Sequence, residues 1–288
     1  MLPEFDLLRP ETMSEALDIL AEEGAMLIAG GTNVLVDLRA GKRQPRVLVD
    51  VGRLPGLRGI HREDGHLVIG GGTTISDLLY DPLIAHHAPA LREAAVVFAN
   101  PLIRNRATVG GNLADASPAA DTAPPLLALD AQVELASQGE SRRVALADFL
   151  VGVRKTLRRP NELLIAVRFA MPPKDSASHF QKVGLRKADA ISVLSVAVTV
   201  TCDAAGRCVA ARIALGAVAP RPLRATAAEV LLVGEKLTPA AVAEAARLAG
   251  EAARPIDDIR GSVGYRRQVT EVIVRRLLEK VLTREAVV

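Results

Sequence analysis

From Asn100 to Ala120 the chain is rich in Gly, Asn, Ser and Pro and carries no periodic apolar pattern, although amphipathic and strand-like segments stand on either side. A compact domain rarely tolerates so long an irregular stretch unless it has a task of its own. At its centre lies Thr108-Val109-Gly110-Gly111-Asn112, continuing through Ala114, Ser117 and Asp121. About 80 residues earlier, Ala29-Gly30-Gly31-Thr32-Asn33 follows a short apolar segment. In each, two glycines let the backbone turn sharply and approach a ligand closely. Backbone N–H groups, the Thr hydroxyls and the Asn amides can then surround phosphate oxygens. Asp121 can accept hydrogen bonds from ribose or ribityl hydroxyls. A purely structural turn is the alternative for each loop taken alone.

The surrounding pattern predicts an α+β chain of two domains. Thr12-Met13-Ser14-Glu15 reads as a capping box that opens a helix ending near Gly24. Met26–Ala29 and Val47–Asp50 read as short buried strands, with a helix-like or irregular stretch at 33–40 between them. His66–Ile69, 131–135, 144–147 and 163–169 read as further strands, and 75–80 and 90–99 as short helices. Asp121 or Thr122 caps a brief helix through Leu129, with Pro124 and Pro125 in its first turn. The polar, Pro-rich segment Met171 to Ser176 marks a boundary. The expected division is 1–174, with subdomains of about 1–57 and 58–174, and then 175–288. Beyond it, 180–185, 191–202 and 208–215 read as antiparallel strands, and 225–233, 239–253 and 264–284 as three helices. Val269, Val272, Ile273, Leu277 and Val281 form the expected core stripe of the last helix.

Composition removes several classes of function. Hydrophobic residues make up 49% and charged residues 24%, the balance of a soluble globular protein. Aromatic residues are only 2%, which argues against the stacking platforms of single-strand nucleic-acid binders. An excess of 36 Lys and Arg over 33 Asp and Glu is too small to imply nucleic acid or an anionic membrane. The longest apolar run, Ala190–Val200, is too short to span a bilayer, and the opening residues lack the pattern of a signal peptide. A cytoplasmic setting is therefore expected. Cys202 and Cys208 are the two cysteines and read as strand residues flanking a hairpin. They cannot ligate an iron–sulfur cluster by themselves, so no metal site is expected.

Other motifs fail on spacing. Gly70-Gly71-Gly72 lacks the third glycine of a dinucleotide fingerprint and reads as a strand-ending turn. Gly41-Lys42 is followed by Arg43, so no Walker loop is present. His86-His87 reads as a solvated helix end, and Arg142-Arg143 and Arg275-Arg276 as exposed charges.

Two glycine loops without a Rossmann fingerprint resemble the FAD-binding fold of the p-cresol methylhydroxylase and vanillyl-alcohol oxidase type. Ile103 to Leu113, with Ala116 to Asp121, is very similar to the second FAD loop of the molybdenum hydroxylase flavin subunits. Phe180-Gln181-Lys182, Arg186, Asp189 and Ile191 are similar to that family's ring-side segment, and the tail resembles its C-terminal domain. The resemblance implies a medium, FAD-carrying subunit of the xanthine dehydrogenase and carbon monoxide dehydrogenase type. It implies that Ala29, Gly30, Gly31, Thr32 and Asn33, backed by Val34, Leu35 and Val36, line the pyrophosphate. Thr108, Gly110, Gly111, Asn112, Ala114 and Asp121 would hold phosphates, ribityl and ribose, with Ser117 close to the flavin. Phe98 would pack near the adenine, and Leu164 and Lys182 would border the flavin, with Phe180 as the candidate aromatic beside the lysine. Arg186 and Asp189 would sit on a loop that can cover the ring.

The implied partners are an iron–sulfur small subunit and a molybdopterin-binding large subunit. Electrons would pass from [2Fe–2S] clusters through FAD to NAD, a quinone or oxygen. No residue of this chain is expected to act catalytically on the organic substrate. A stand-alone flavin reductase on the same fold, and a nucleotide-binding or assembly module without redox chemistry, are the rival expectations.

Overall fold

The computed structural model describes residues 2–22 and 24–283. The first layer is built from β1 (Asp6–Leu8), α1 (Met13–Leu20), β2 (Ala25–Ile28), α2 (Val34–Arg39) and β3 (Val47–Asp50). Its strands form a parallel sheet in the order β1-β3-β2. The Thr12 side chain caps α1 by accepting from the Glu15 N–H at 3.2 Å. The reciprocal half of the expected capping box is displaced, because the Glu15 carboxylate accepts from the N–H of Glu11 instead, at 2.8 Å.

The second layer follows with β4 (Ile60–Glu63), β5 (His66–Gly70), α3 (Ile75–Tyr80), α4 (Pro82–His87), α5 (Pro89–Val96), α6 (Pro101–Arg104), α7 (Val109–Asp115) and α8 (Ala123–Leu127). It is completed by β6 (Gln132–Ser137), β7 (Glu140–Ala145), α9 (Leu146–Phe149), β8 (Leu150–Gly152), β9 (Lys155–Thr156) and β10 (Leu163–Ala170). Five strands pair antiparallel in the order β4-β5-β10-β6-β7. The late strand β10 thus closes the middle of the sheet. The stretch expected to be irregular contains α6 and α7, whose few turns fall below the length at which apolar periodicity becomes visible. The helix expected over 90–99 stops at Val96, and Ala99 has φ of 37°.

The third layer holds β11 (Ser176–Gly184), β12 (Ser192–Cys202), β13 (Cys208–Gly216), β14 (Leu223–Arg224), α10 (Thr226–Leu232), α11 (Pro239–Ala252) and α12 (Val263–Thr283). Its strands are antiparallel in sequential order. Cys202 and Cys208 pair across the β12–β13 hairpin. Leu194, Val196, Val198 and Val200 pack on the helices, whereas Phe180, Ala197 and Ala214 join the core of the second layer. Cover on both faces is why β12 reads as an unbroken run rather than an alternation. On α12 the buried residues are Arg266, Thr270, Ile273, Val274, Leu277, Leu278 and Val281. Val274 and Leu278 therefore replace Val272 on the expected stripe. Arg284, the expected end of this helix, lies outside the described residues.

Candidate functional site

A cleft of about 460 Å³ opens where the loop after β2 meets the loop around α7. The first loop runs from Ala29 into α2, a helix whose cap residue Asn33 makes no side-chain cap bond. Among the described residues, the N–H groups of Thr32, Asn33 and Val34 find no acceptor in the chain. The Asn33 amide Nδ2 instead donates to Asp115 Oδ2 on the second loop at 2.9 Å. Gly30 makes the meeting possible. A Cβ there would lie 1.9 Å from the Arg106 carbonyl oxygen, so no other residue allows this backbone-on-backbone contact.

The second loop satisfies its own backbone. Thr108 caps α7, accepting from the Gly111 N–H at 3.1 Å. Val109 N–H donates to Thr73 O and Gly110 N–H to Gly71 O, both at 2.9 Å. At Gly110 a Cβ would stand 2.7 Å from Gly71 O. Asn112 Oδ1 accepts from the Thr122 hydroxyl at 2.6 Å. The hydroxyl of Thr108 and the carbonyl of Asn112, both read from sequence as groups offered to a ligand, thus also hold the loop in shape.

Asp121 follows on the same segment and is buried. Its Oδ2 accepts from Lys182 Nζ at 2.6 Å and its Oδ1 from the Ser192 hydroxyl at 2.5 Å. Burial pushes the Asp121 carboxyl above the usual carboxylate range, and the Lys182 and Ser192 contacts offset only part of that rise. Lys182 Nζ also donates to Val97 O at 3.3 Å.

A chain of charges ties the loops together on another wall. Arg154 Nη1 bonds Asp37 Oδ2 at 2.9 Å and lies 3.4 Å from Asp115 Oδ1. Arg43 Nε approaches the same Asp37 oxygen at 3.4 Å. Arg158 lines the cleft as well, and burial lowers its pKa from the ordinary value, with Glu162 opposing that fall.

Of the residues singled out from sequence, Ala29, Gly30, Gly31, Thr32, Asn33 and Val34 line this cleft. So do Phe98, Thr108, Gly110, Gly111, Asn112, Ala114, Ser117, Asp121 and Leu164. Leu35, Val36 and Lys182 do not, and Val36 is 61% exposed. Lys182 stands behind Asp121 rather than on the wall, and Phe180 is buried in the core. Arg186 Nε donates to Asp189 O at 2.9 Å on an exposed loop, whose end residues Ala190 and Ile191 line the cleft. Sequence reasoning missed Gly71, Asp37, Asp115, Arg43, Arg154 and Arg158. Gly71 carried a signal, the glycine run after a strand; the charged residues carried none, being up to 117 positions from their partners. Arg142, read as an exposed charge, pairs with the buried Glu162 at 2.6 Å. His86 and His87 form the last turn of α4, with Arg62 2.9 Å from His87 Nε2.

Among the described residues no group of three or more His, Cys, Asp or Glu could hold a metal ion, and no helix is long and apolar enough to cross a membrane.

Residues 3–172 match the family described as the FAD binding domain in molybdopterin dehydrogenase. Residues 179–281 match the CO dehydrogenase flavoprotein C-terminal domain. The 6-hydroxypseudooxynicotine dehydrogenase complex subunit alpha of Paenarthrobacter nicotinovorans is 35% identical over 98% of this chain and 96% of its own length. The carbon monoxide dehydrogenase medium chain of Afipia carboxidovorans is 34% identical, over 99% of both chains. A solved structure of carbon monoxide dehydrogenase from Hydrogenophaga pseudoflava superimposes with a TM-score of 0.94 at 33% identity, covering 99% of this chain and 100% of that one. The open N–H groups of the first loop, beside a glycine cradle, suit the phosphates of the cofactor these matches specify. The chain therefore belongs to the FAD-binding flavoprotein family of the molybdenum hydroxylases, and FAD is its cofactor.

Proposed function

We propose that this chain is the electron-transfer subunit of a molybdenum hydroxylase complex, taking electrons from the [2Fe–2S] clusters of a small partner subunit and passing them to an acceptor such as NAD or a quinone. A large molybdopterin-binding subunit would oxidise the organic substrate, in the cytoplasm. The carrying observation is the end-to-end match to a flavoprotein family in a chain whose two cysteines face each other on one hairpin. These two cysteines cannot complete a four-cysteine cluster, which a partner subunit would supply.

FAD, when bound, supplies a centre that accepts electrons singly and delivers them as a pair. The chain's own residues do the rest. The N–H groups of Thr32, Asn33 and Val34 would hold the pyrophosphate, with Ala29, Gly30 and Gly31 giving close approach. Thr108, Gly110, Gly111, Asn112 and Ala114 would shape the opposite wall, and Leu35 and Val36 would support the first loop from outside. Asp121 would accept from the ribityl or ribose hydroxyls, held in place by Lys182. Ser117 and Leu164 would border the ring system, and Phe98 the adenine. The division into a FAD-binding domain, 1–174, and a C-terminal domain, 175–288, is part of the same proposal.

Affinity-tagging the chain in its native host tests the assembly. Recovery with one chain bearing two four-cysteine cluster motifs and one large molybdenum-containing chain is the expected result. A tagged chain recovered alone, turning over an organic substrate with its own flavin, would establish the stand-alone reductase instead.

A further inference from the structure

Lys182 lies on β11, which is an edge strand of its sheet. An edge strand has one row of backbone groups without a neighbouring strand; the ladder with β12 sets the register of β11, and whatever meets the open row seats that edge against its neighbour. Here the neighbour is α5. Glu93 on α5 places Oε2 2.5 Å from the Phe180 N–H, and its Oε1 lies 3.6 Å from His179 Nδ1. That His179 nitrogen is buried and has no hydrogen-bond partner among the described residues. One turn further along, the carbonyl of Val97 receives Lys182 Nζ at 3.3 Å. The two contacts are in step. Four residues of helix advance about 6 Å, and two residues of strand advance about 6.6 Å. The Glu93 contact at Phe180 therefore seats this edge of the strand on α5, with Lys182 held between the Val97 carbonyl and the Asp121 carboxylate.

From this register we infer that Glu93 is a positioning residue, setting where the Lys182 ammonium stands and so the charge that the Asp121 wall presents to the cofactor. The role presumes the FAD assignment and the placement of Asp121 beside it. Loss of the Glu93 carboxylate leaves the Phe180 N–H without its acceptor. The strand is then released from α5, and Lys182 withdraws from Asp121. The cleft wall becomes more negative, which disfavours electron uptake by the cofactor and lowers its midpoint potential. Direct electrostatics predicts the opposite sign, because removing an anion raises the potential of a nearby electron acceptor. The sign of the shift therefore separates positioning from simple charge loss.

The test is redox titration of the FAD-loaded full chain, every variant at the same mildly alkaline pH. Glu93→Ala is expected to shift the midpoint downward, in the direction of Lys182→Met. Glu93→Gln, whose amide oxygen can still accept from Phe180, should restore the wild-type value. Glu93→Ala added to Lys182→Met should produce no further shift. If Glu93→Ala does not fold, Glu93→Asp keeps the charge but is a methylene too short to reach Phe180, and it should shift downward likewise. An unchanged or raised midpoint in the alanine or aspartate variant, with FAD bound, overturns the role of Glu93. So does a glutamine variant that shifts as far as alanine. A wild-type chain that holds no FAD would remove the cofactor assignment, and this role with it.

Discussion

Ala29 to Asn33 and Thr108 to Asn112 carry nearly the same residues, and the chain uses them in opposite ways. After β2 the backbone leaves three consecutive N–H groups open, and its glycine is consumed by contact with Arg106. Around α7 the N–H groups are bonded to Thr73, Gly71 and Thr108, and Gly110 presses against the backbone of Gly71. One loop offers donors to an anion; the other is the rigid wall against which that anion is held. A shared glycine-rich pattern thus identifies close approach without saying whether the approaching partner is a ligand or another part of the chain.

The largest expected effect comes from forcing the two loops apart. Gly30→Ala places a methyl group inside the Arg106 carbonyl contact. It should cost about 2–3 kcal/mol of stability, the upper part of the usual range for overpacking. If the loops bind FAD only together, affinity should fall at least roughly thirtyfold. Urea denaturation and equilibrium dialysis check both values, and a variant with normal affinity would show that the loops act separately.

Asp121 gives the rigid wall a pH dependence. Its folded pKa is raised, so protonation is favoured in the folded state. Stability from this group is full below the unfolded value, near pH 3.9, and declines as pH rises from there through the higher folded value. Asp121→Asn, which stays neutral throughout, should lack that decline, so any stability deficit relative to the wild type should narrow as pH rises. Denaturation midpoints measured across the acid range decide this.

Thr122→Val is expected to matter less. It removes the hydroxyl that Asn112 Oδ1 accepts from and leaves that oxygen unsatisfied, a loss of about 1–2 kcal/mol. Because the effect falls on the wall, thermal stability should drop more than FAD affinity. Arg154→Gln should have the smallest effect. The Arg154 side chain is 43% exposed and Asp37 keeps Arg43, so stability should change by less than about 1 kcal/mol. A several-fold faster release of FAD, measured by stopped flow, would mark Arg154 as a latch between the loops.

Both loops were legible in the sequence because glycine pairs and the small, polar run 100–120 are local signals. The strands β12 and β13 were legible too, since each is long and largely apolar, whereas the polar start of β11 and the two-residue β14 were not. The path of α6 and α7 was not, because Gly-Gly within α7 conceals a helix started by the Thr108 cap. The Lys182–Asp121 pair joins positions 61 apart, and Arg154–Asp37 joins positions 117 apart. Such pairs exist only after three layers have packed. Lys182 was expected beside the flavin on resemblance, whereas the folded chain spends its charge first on Asp121.

The rungs Ile75 N–H to Ala107 O, Val109 N–H to Thr73 O and Gly110 N–H to Gly71 O join the second loop to the end of the five-stranded sheet. Amide exchange at these positions then requires that sheet to open, placing them in its slow cooperative unit. The amides of Thr32, Asn33 and Val34 have no such lock and exchange from the folded state. Occupancy of the cleft should slow the second set while leaving the first almost untouched, so the protein carries its own internal reference for whether the cleft is filled.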